Sequence, residues 1–106
     1  MNDLSVVIPA YNEDHGILTK IKSELESLGA EVIIVDDGSD NPHPTSIRHM
    51  RNLGYGSALM TGIELAHRDL VMTIDGDGQH GVSEAVRLYH AWKLMENVDM
   101  LIGVRR

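Results

Sequence analysis

Residues 70–80 read Leu-Val-Met-Thr-Ile-Asp-Gly-Asp-Gly-Gln-His, and Asp75 and Asp77 are the side chains in them best suited to chemistry. In extended chain, carboxylates at i and i+2 point the same way, with Cα atoms about 7 Å apart. Such a pair suits a hard divalent cation that carries a phosphate and leaves several positions to water or substrate. The apolar run before it, residues 70–74, has the length and β-branching of a strand buried on both faces. Gly76 and Gly78 then free the backbone for a sharp turn at the strand's carboxyl end. Open α/β sheets bind ligands just beyond such ends.

Other readings of the same residues can be set against this one. Asp-Gly-Asp-Gly can be a plain turn. A calcium loop starting at Asp75 needs Gly at its sixth position and Glu at its twelfth, but these hold His80 and Val86. A dehalogenase-type phosphatase would use Asp75 as nucleophile in an Asp-x-Asp pattern. Gln79 stands where that pattern has Thr or Val, and the strand comes late in the chain.

The elements that must position these groups alternate along the chain. Residues 4–8 form a first strand, ended by Pro9, and Tyr11 and Glu13 lie in the loop after it. Asp14 caps a helix carrying Ile17, Leu18, Ile21, Leu25 and Leu28 at helical spacing, and Gly29 closes it. Residues 31–35 form a second strand running straight into Asp36-Asp37-Gly38-Ser39-Asp40. Residues 41–46, with two prolines, are a loop, and residues 47–51 make a polar edge strand. A second helix is expected over residues 58–67, a third from about Ser83 to Met95, and a last strand over residues 99–104. This alternation predicts one domain, residues 1–106: an open, mainly parallel α/β sheet with helices on both faces and right-handed crossovers. Tyr11 and Glu13, Asp36 and Asp37, and Asp75 and Asp77 would then share one rim of the sheet.

Composition narrows the partners. A net charge of −7 argues against nucleic acid, which needs Lys and Arg in excess. If a phosphorylated ligand binds, a metal must supply much of the positive charge. The chain has no Cys, so neither a disulfide framework nor a thiolate metal site is available. No apolar run approaches a membrane span and no signal pattern opens the sequence, so a soluble chain is expected. The six His show no H-x-x-x-H grouping, which speaks against catalytic zinc. His80 beside the acidic turn either reaches the site or caps the next helix, and Tyr89 and Trp92 are expected in the core. Ser39 and Ser57 have no evident activating base. Gly54-x-Gly56 precedes a helix, but the third glycine of a dinucleotide fingerprint falls on Leu59. Gly54, Gly56 and Gly62 are therefore expected to let that helix pack closely on the sheet.

Four stretches taken together resemble the opening of family 2 glycosyltransferases of GT-A fold: residues 6–13 (VVIPAYNE), 32–40 (VIIVDDGSD), 52–66 (NLGYGSALMTGIELA) and 73–80 (TIDGDGQH). The Asp-x-Asp-x-Gln-His pattern is similar to dolichol-phosphate mannose synthases and bacterial polyprenyl-phosphate glycosyltransferases. The resemblance implies that Pro9, Tyr11 and Glu13 border the nucleotide base and ribose, and that Asp37, with Val35 beside it, contacts them. It implies that Asp75 and Asp77 hold Mg²⁺ or Mn²⁺ against the diphosphate, with Gly76 between them and Gln79 a further ligand. Arg105 matches the family's Gly-x-Arg near the sugar phosphate. The implied partners are a UDP or GDP sugar and a polyprenyl phosphate acceptor used in cell-envelope glycan synthesis. The implied place is the cytoplasm or the cytoplasmic face of the membrane.

Family members normally run on well past Gly-Val-Arg, into the acceptor site and the carboxylate that deprotonates the acceptor in inverting members. Glu84 and Asp99 match no such base, so no catalytic residue is assigned. The chain is expected to be the donor-binding half, cut down or naturally short, that binds a nucleotide sugar with little or no transfer. Surface that a second half would cover should then favour self-association. A catalytically silent binding or assembly module of the same fold is the alternative.

Overall fold

The computed structural model describes residues 1–75 and 81–94, and the backbone of residues 100–102. It contains β1 (Leu4–Ala10), α1 (His15–Ser27), β2 (Glu31–Asp36), β3 (Ile47–Arg48), α2 (Tyr55–Leu65), β4 (Leu70–Thr73), α3 (Gly81–Lys93) and β5 (Met100–Ile102). The strands form one sheet in the order β3-β2-β1-β4-β5, every pairing parallel. The expected open α/β sheet is what forms, and all its carboxyl ends lie on one rim.

Strand β1 is buried along its whole length because it has a neighbour on each side and helices over both faces. Leu4, Val6, Ile8 and Ala10 face one way, against Leu18, Ile21 and Leu25 of α1 and Ala85 of α3. Val7 faces the other way, with Val35 of β2 and Ala58 of α2. Tyr89 and Trp92 pack on the first of these cores, as expected. Ile17 and Leu28, also expected on the buried stripe of α1, stay substantially exposed.

With α1 and α2 on opposite faces and their crossovers running in opposite directions, these two units have the same hand. The β4–α3–β5 unit runs in the direction of the α2 crossover but lies on the face of α1, so its hand is opposite. Uniform right-handedness is therefore not observed, and nothing in the structure explains the exception.

Several boundaries differ from the sequence expectation for local reasons. Pro9 does not end β1; it continues the strand in register with Val35. Val7 O accepts from Ile74 N, whereas Ala10 O accepts from Asp37 N on the β2 side. Pro9 alternates with Ala10, so its missing N–H falls on the β4 side, where the ladder has already stopped at Val7 and Thr73. Strand β3 shrinks to two residues because only Ile47 and Arg48 meet β2. Helix α2 starts at Tyr55, earlier than residue 58, directly after Gly54 at φ 104°. Asp14 caps α1 as expected, its Oδ1 accepting from Ile17 N at 3.0 Å.

The three glycines of the α2 region do different work. A Cβ on Gly62 would lie 2.2 Å from Val7 Cγ1, so Gly62 is a close-packing glycine. Gly54 and Gly56 have open space where a Cβ would stand, which corrects the packing role expected for them. Gly54 is needed for its left-handed backbone instead. Accordingly, Gly62→Ala should destabilise by about 1–3 kcal/mol, because fully buried Val7 has no room to retreat. Gly56→Ala should be neutral or stabilising by up to about 1 kcal/mol through helix propensity. Urea unfolding of the two variants checks both signs.

Candidate functional site at the carboxyl rim

The sheet order changes direction between β1 and β4: the chain goes from β1 to β2 and β3 on one side, then crosses to β4 on the other. In open α/β sheets ligands bind beyond the strand ends at such a point. Three acidic or aromatic loops meet the rim around it.

The end of β2 organises the first two. Asp36 is buried, and its Oδ2 accepts from Gly38 N at 3.1 Å and Ser39 N at 2.8 Å. Ser39 Oγ donates to Asp36 Oδ1 at 2.5 Å and accepts from Asn12 N at 2.7 Å. Asn12 sits at φ 53°, a conformation Asn tolerates better than most side chains. Its Oδ1 accepts from Asp40 N at 3.2 Å. The loops after β1 and β2 are thus stapled together through Asp36, Ser39 and Asn12. Gly38, at φ 85°, permits the approach of the next segment; a Cβ there would lie 2.4 Å from the Arg51 carbonyl carbon.

Asp37 ties in the third piece. Its Oδ1 accepts from Leu53 N at 2.9 Å and from His49 Nδ1 at 2.8 Å, and its Oδ2 accepts from Gly54 N at 2.8 Å. The other ring nitrogen of His49, Nε2, lies 2.8 Å from Thr61 Oγ1, within hydrogen-bond distance. One carboxylate therefore connects the end of β2, the segment after β3 and the start of α2, and through His49 reaches the second turn of α2. Burial pushes the Asp37 carboxyl up, but the His49 hydrogen bond and the two backbone N–H groups outweigh it, leaving it below the usual range.

Pro9 is in β1 at the level of Val35, whose side chain is fully buried beneath α2. Tyr11 is half exposed just past β1. Glu13 lines an open depression of about 560 Å³ with Asn12, Asp14, His15, Asp40 and Asn41. Asp75 follows β4, partly buried. The bond from Ile74 N to Val7 O at 3.1 Å carries the pairing with β1 to the residue before it. Gly76, Asp77, Gln79, His80 and Arg105 lie outside the described residues. Tyr11, Glu13, Asp36, Asp37 and Asp75 all fall at carboxyl ends of parallel strands, so the fold brings these loops to one rim. Nothing local in the sequence marks His49, Thr61 or Asn12 as partners in this hub. Only the Asp-x-x-Ser of Asp36 and Ser39 carries a local signal, that of a side-chain-capped turn.

The sequence profile of "Glycosyl transferase family 2" matches residues 5–105, which takes in all of the five strands but Leu4. The chain belongs to glycosyl transferase family 2. It is also 34% identical over 122 aligned positions to undecaprenyl-phosphate 4-deoxy-4-formamido-L-arabinose transferase of Aeromonas hydrophila subsp. hydrophila. That match takes in 97% of this chain and 37% of the relative, so the chain spans a little over a third of its length. Among the described residues, no helix of this family 2 chain is long and apolar enough to cross a membrane.

The Asp37 hub makes a pH prediction. A depressed carboxyl pKa contributes stability that is complete above the ordinary value of 3.8 and is lost as pH falls through the lower folded value. Thermal melts should therefore lose less stability between pH 5 and pH 3 in Asp37→Asn than in the parent. Asp37→Ala, which orphans three donors, should cost about 2–4 kcal/mol at neutral pH.

Proposed function

We propose that this chain is the donor-binding part of a metal-dependent glycosyltransferase that takes a nucleoside diphosphate sugar and serves a polyprenyl phosphate acceptor. The observation that carries the reading is the meeting of the loops after β1, β2 and β4 at the switch point of a parallel sheet, in a family 2 chain. The undecaprenyl phosphate in the relative's name supports the lipid acceptor.

In this reading Tyr11 and Glu13 border the base and ribose from the loop after β1, with Pro9 and Val35 beneath them. Asp37, buried with its oxygens taken by His49, Leu53 and Gly54, holds the segment 49–54 and the start of α2 against the rim and so supports the base and ribose site from beneath. The metal donors would be Asp75 and Asp77 with the amide oxygen of Gln79. An all-oxygen set of two carboxylates and an amide fits Mg²⁺ or Mn²⁺, and partly buried Asp75 at the end of β4 supplies one donor of that set at the rim. When bound, such a cation stabilises the negative charge that grows on the departing nucleoside diphosphate. Gly76 would give the chain the freedom to turn between the two carboxylates, and Arg105 would bring a positive charge to the sugar phosphate. With a net charge of −7, the chain itself offers little else to neutralise a diphosphate.

Calorimetric titration with UDP, GDP and their sugars, with and without Mn²⁺, tests the reading. Metal-dependent binding of one nucleotide, weakened at least about tenfold (1.4 kcal/mol) in Asp77→Ala, is the expected result. Absence of nucleotide binding would instead support a silent assembly module. Hydrolysis of simple phosphate esters would point to Asp75 as a phosphatase nucleophile.

A further inference from the structure

The chain's charge is segregated. Residues 41–63 contain no Asp or Glu, although the whole sequence has sixteen. This stretch runs along the β3 edge of the sheet and into α2. Arg48 and Arg51 are exposed there and, among the described residues, form no ion pair. In the same short segment Ile47 is 44% exposed, Met50 86% and Leu53 49%. His49 between them is turned inward onto Asp37 and Thr61.

We infer that this edge docks on the surface of an anionic lipid bilayer, with Met50 and its apolar neighbours entering the headgroup region and Arg48 and Arg51 meeting lipid phosphates. The inference rests on the proposed use of a lipid phosphate acceptor and says which side of the molecule meets the membrane. Interleaved cations and flexible apolar side chains, with no acid among them, suit a charged interface of mixed polarity. A nucleic acid would call for more cations, and for aromatic platforms if single-stranded. The acids elsewhere on the chain do not cancel the attraction. At physiological ionic strength charge is screened over about 8 Å, so a bilayer touching this edge feels chiefly the local arginines. The Asp37 hub holds the same segment firmly, so the patch is presented on a fixed support.

Flotation with vesicles tests the inference on the full chain. Vesicles of phosphatidylglycerol and phosphatidylcholine should carry the protein at physiological salt, where the chain's remaining acids are screened, and pure phosphatidylcholine vesicles should carry far less. Partitioning should fall at least about tenfold in Arg48→Glu/Arg51→Glu, since each cation near an anionic surface is worth about fivefold. Met50→Asp should also weaken it, whereas Lys20→Glu, an exposed cation on α1, should not. Thermal melts of all variants should stay near the parent, because the substituted side chains are exposed. No binding to anionic vesicles, or binding that ignores the arginine changes, overturns the inference. If nucleotide binding persists in that case, the docking surface fails while the donor site stands. Self-association through β3 without vesicle binding also overturns it.

Discussion

The carboxylate of Asp37 accepts from the His49 ring and from the Leu53 and Gly54 backbone, and through His49 is linked to the Thr61 hydroxyl. A carboxylate this deeply buried is tolerated only when its oxygens are satisfied. The requirement runs both ways. The backbone N–H groups of residues 53 and 54 precede the first turn of α2, where the helix cannot supply acceptors. Asp37 supplies them, and thereby fixes where α2 begins. Asp36 next to it satisfies the turn at Gly38 and Ser39, and through Ser39 holds the loop after β1. Two adjacent carboxylates thus set the height and spacing of the loops on the rim.

The two rims of the sheet contrast in how they use their polar groups. At the amino rim, Glu31 takes Ser5 Oγ at 2.6 Å, His67 N at 2.9 Å and His67 Nδ1 at 2.7 Å. Burial pushes Glu31 up, but these bonds outweigh it and bring it to about 2. Arg68 donates to the Asn2 and Gly29 carbonyls, and Asp3 receives Tyr89 and Lys93. These groups close the sheet's lower end on itself. At the carboxyl rim the internal bonds are spent at Asp36, Asp37 and Ser39, while Tyr11 stands half exposed above them and Glu13 lines an open depression. Interior satisfaction beneath and exposed groups above is the arrangement a preformed ligand site needs.

Much of this architecture was legible in the residues. Residues 4–8, 31–35 and 70–74 are largely apolar runs, broken only by Ser5, Glu31 and Thr73, and runs of that length with helices between them have few folds other than a covered parallel sheet. The convergence on one rim followed from that alone. The edges were harder to read. Pro9 looked like a strand end because a missing N–H normally is one; that its N–H would point past the end of β4 depends on tertiary register. Residues 47–51 gave no apolar pattern, and only pairing decides that the strand stops at Arg48. Asp36 and Asp37 were recognisable as acids at a strand end, but that their oxygens are occupied by the chain itself was not. His49 and Thr61 lie twelve residues from their partners on different elements, and no local pattern records such contacts. Gly62 and Gly54 looked alike in sequence; only the position of Val7 beneath one, and the positive φ of the other, separates them.

The central claim is that the donor and its cation sit beyond β1, β2 and β4 at the switch point. Paramagnetic broadening of backbone amide signals by Mn²⁺ with a nucleoside diphosphate tests it most directly. The account predicts selective loss of signals from residues 11–13, 37–40 and Asp75, with Asp3, Ala30 and Asp69 at the opposite rim left sharp. Broadening centred on the amino rim, or spread evenly over the acidic surface, would contradict it.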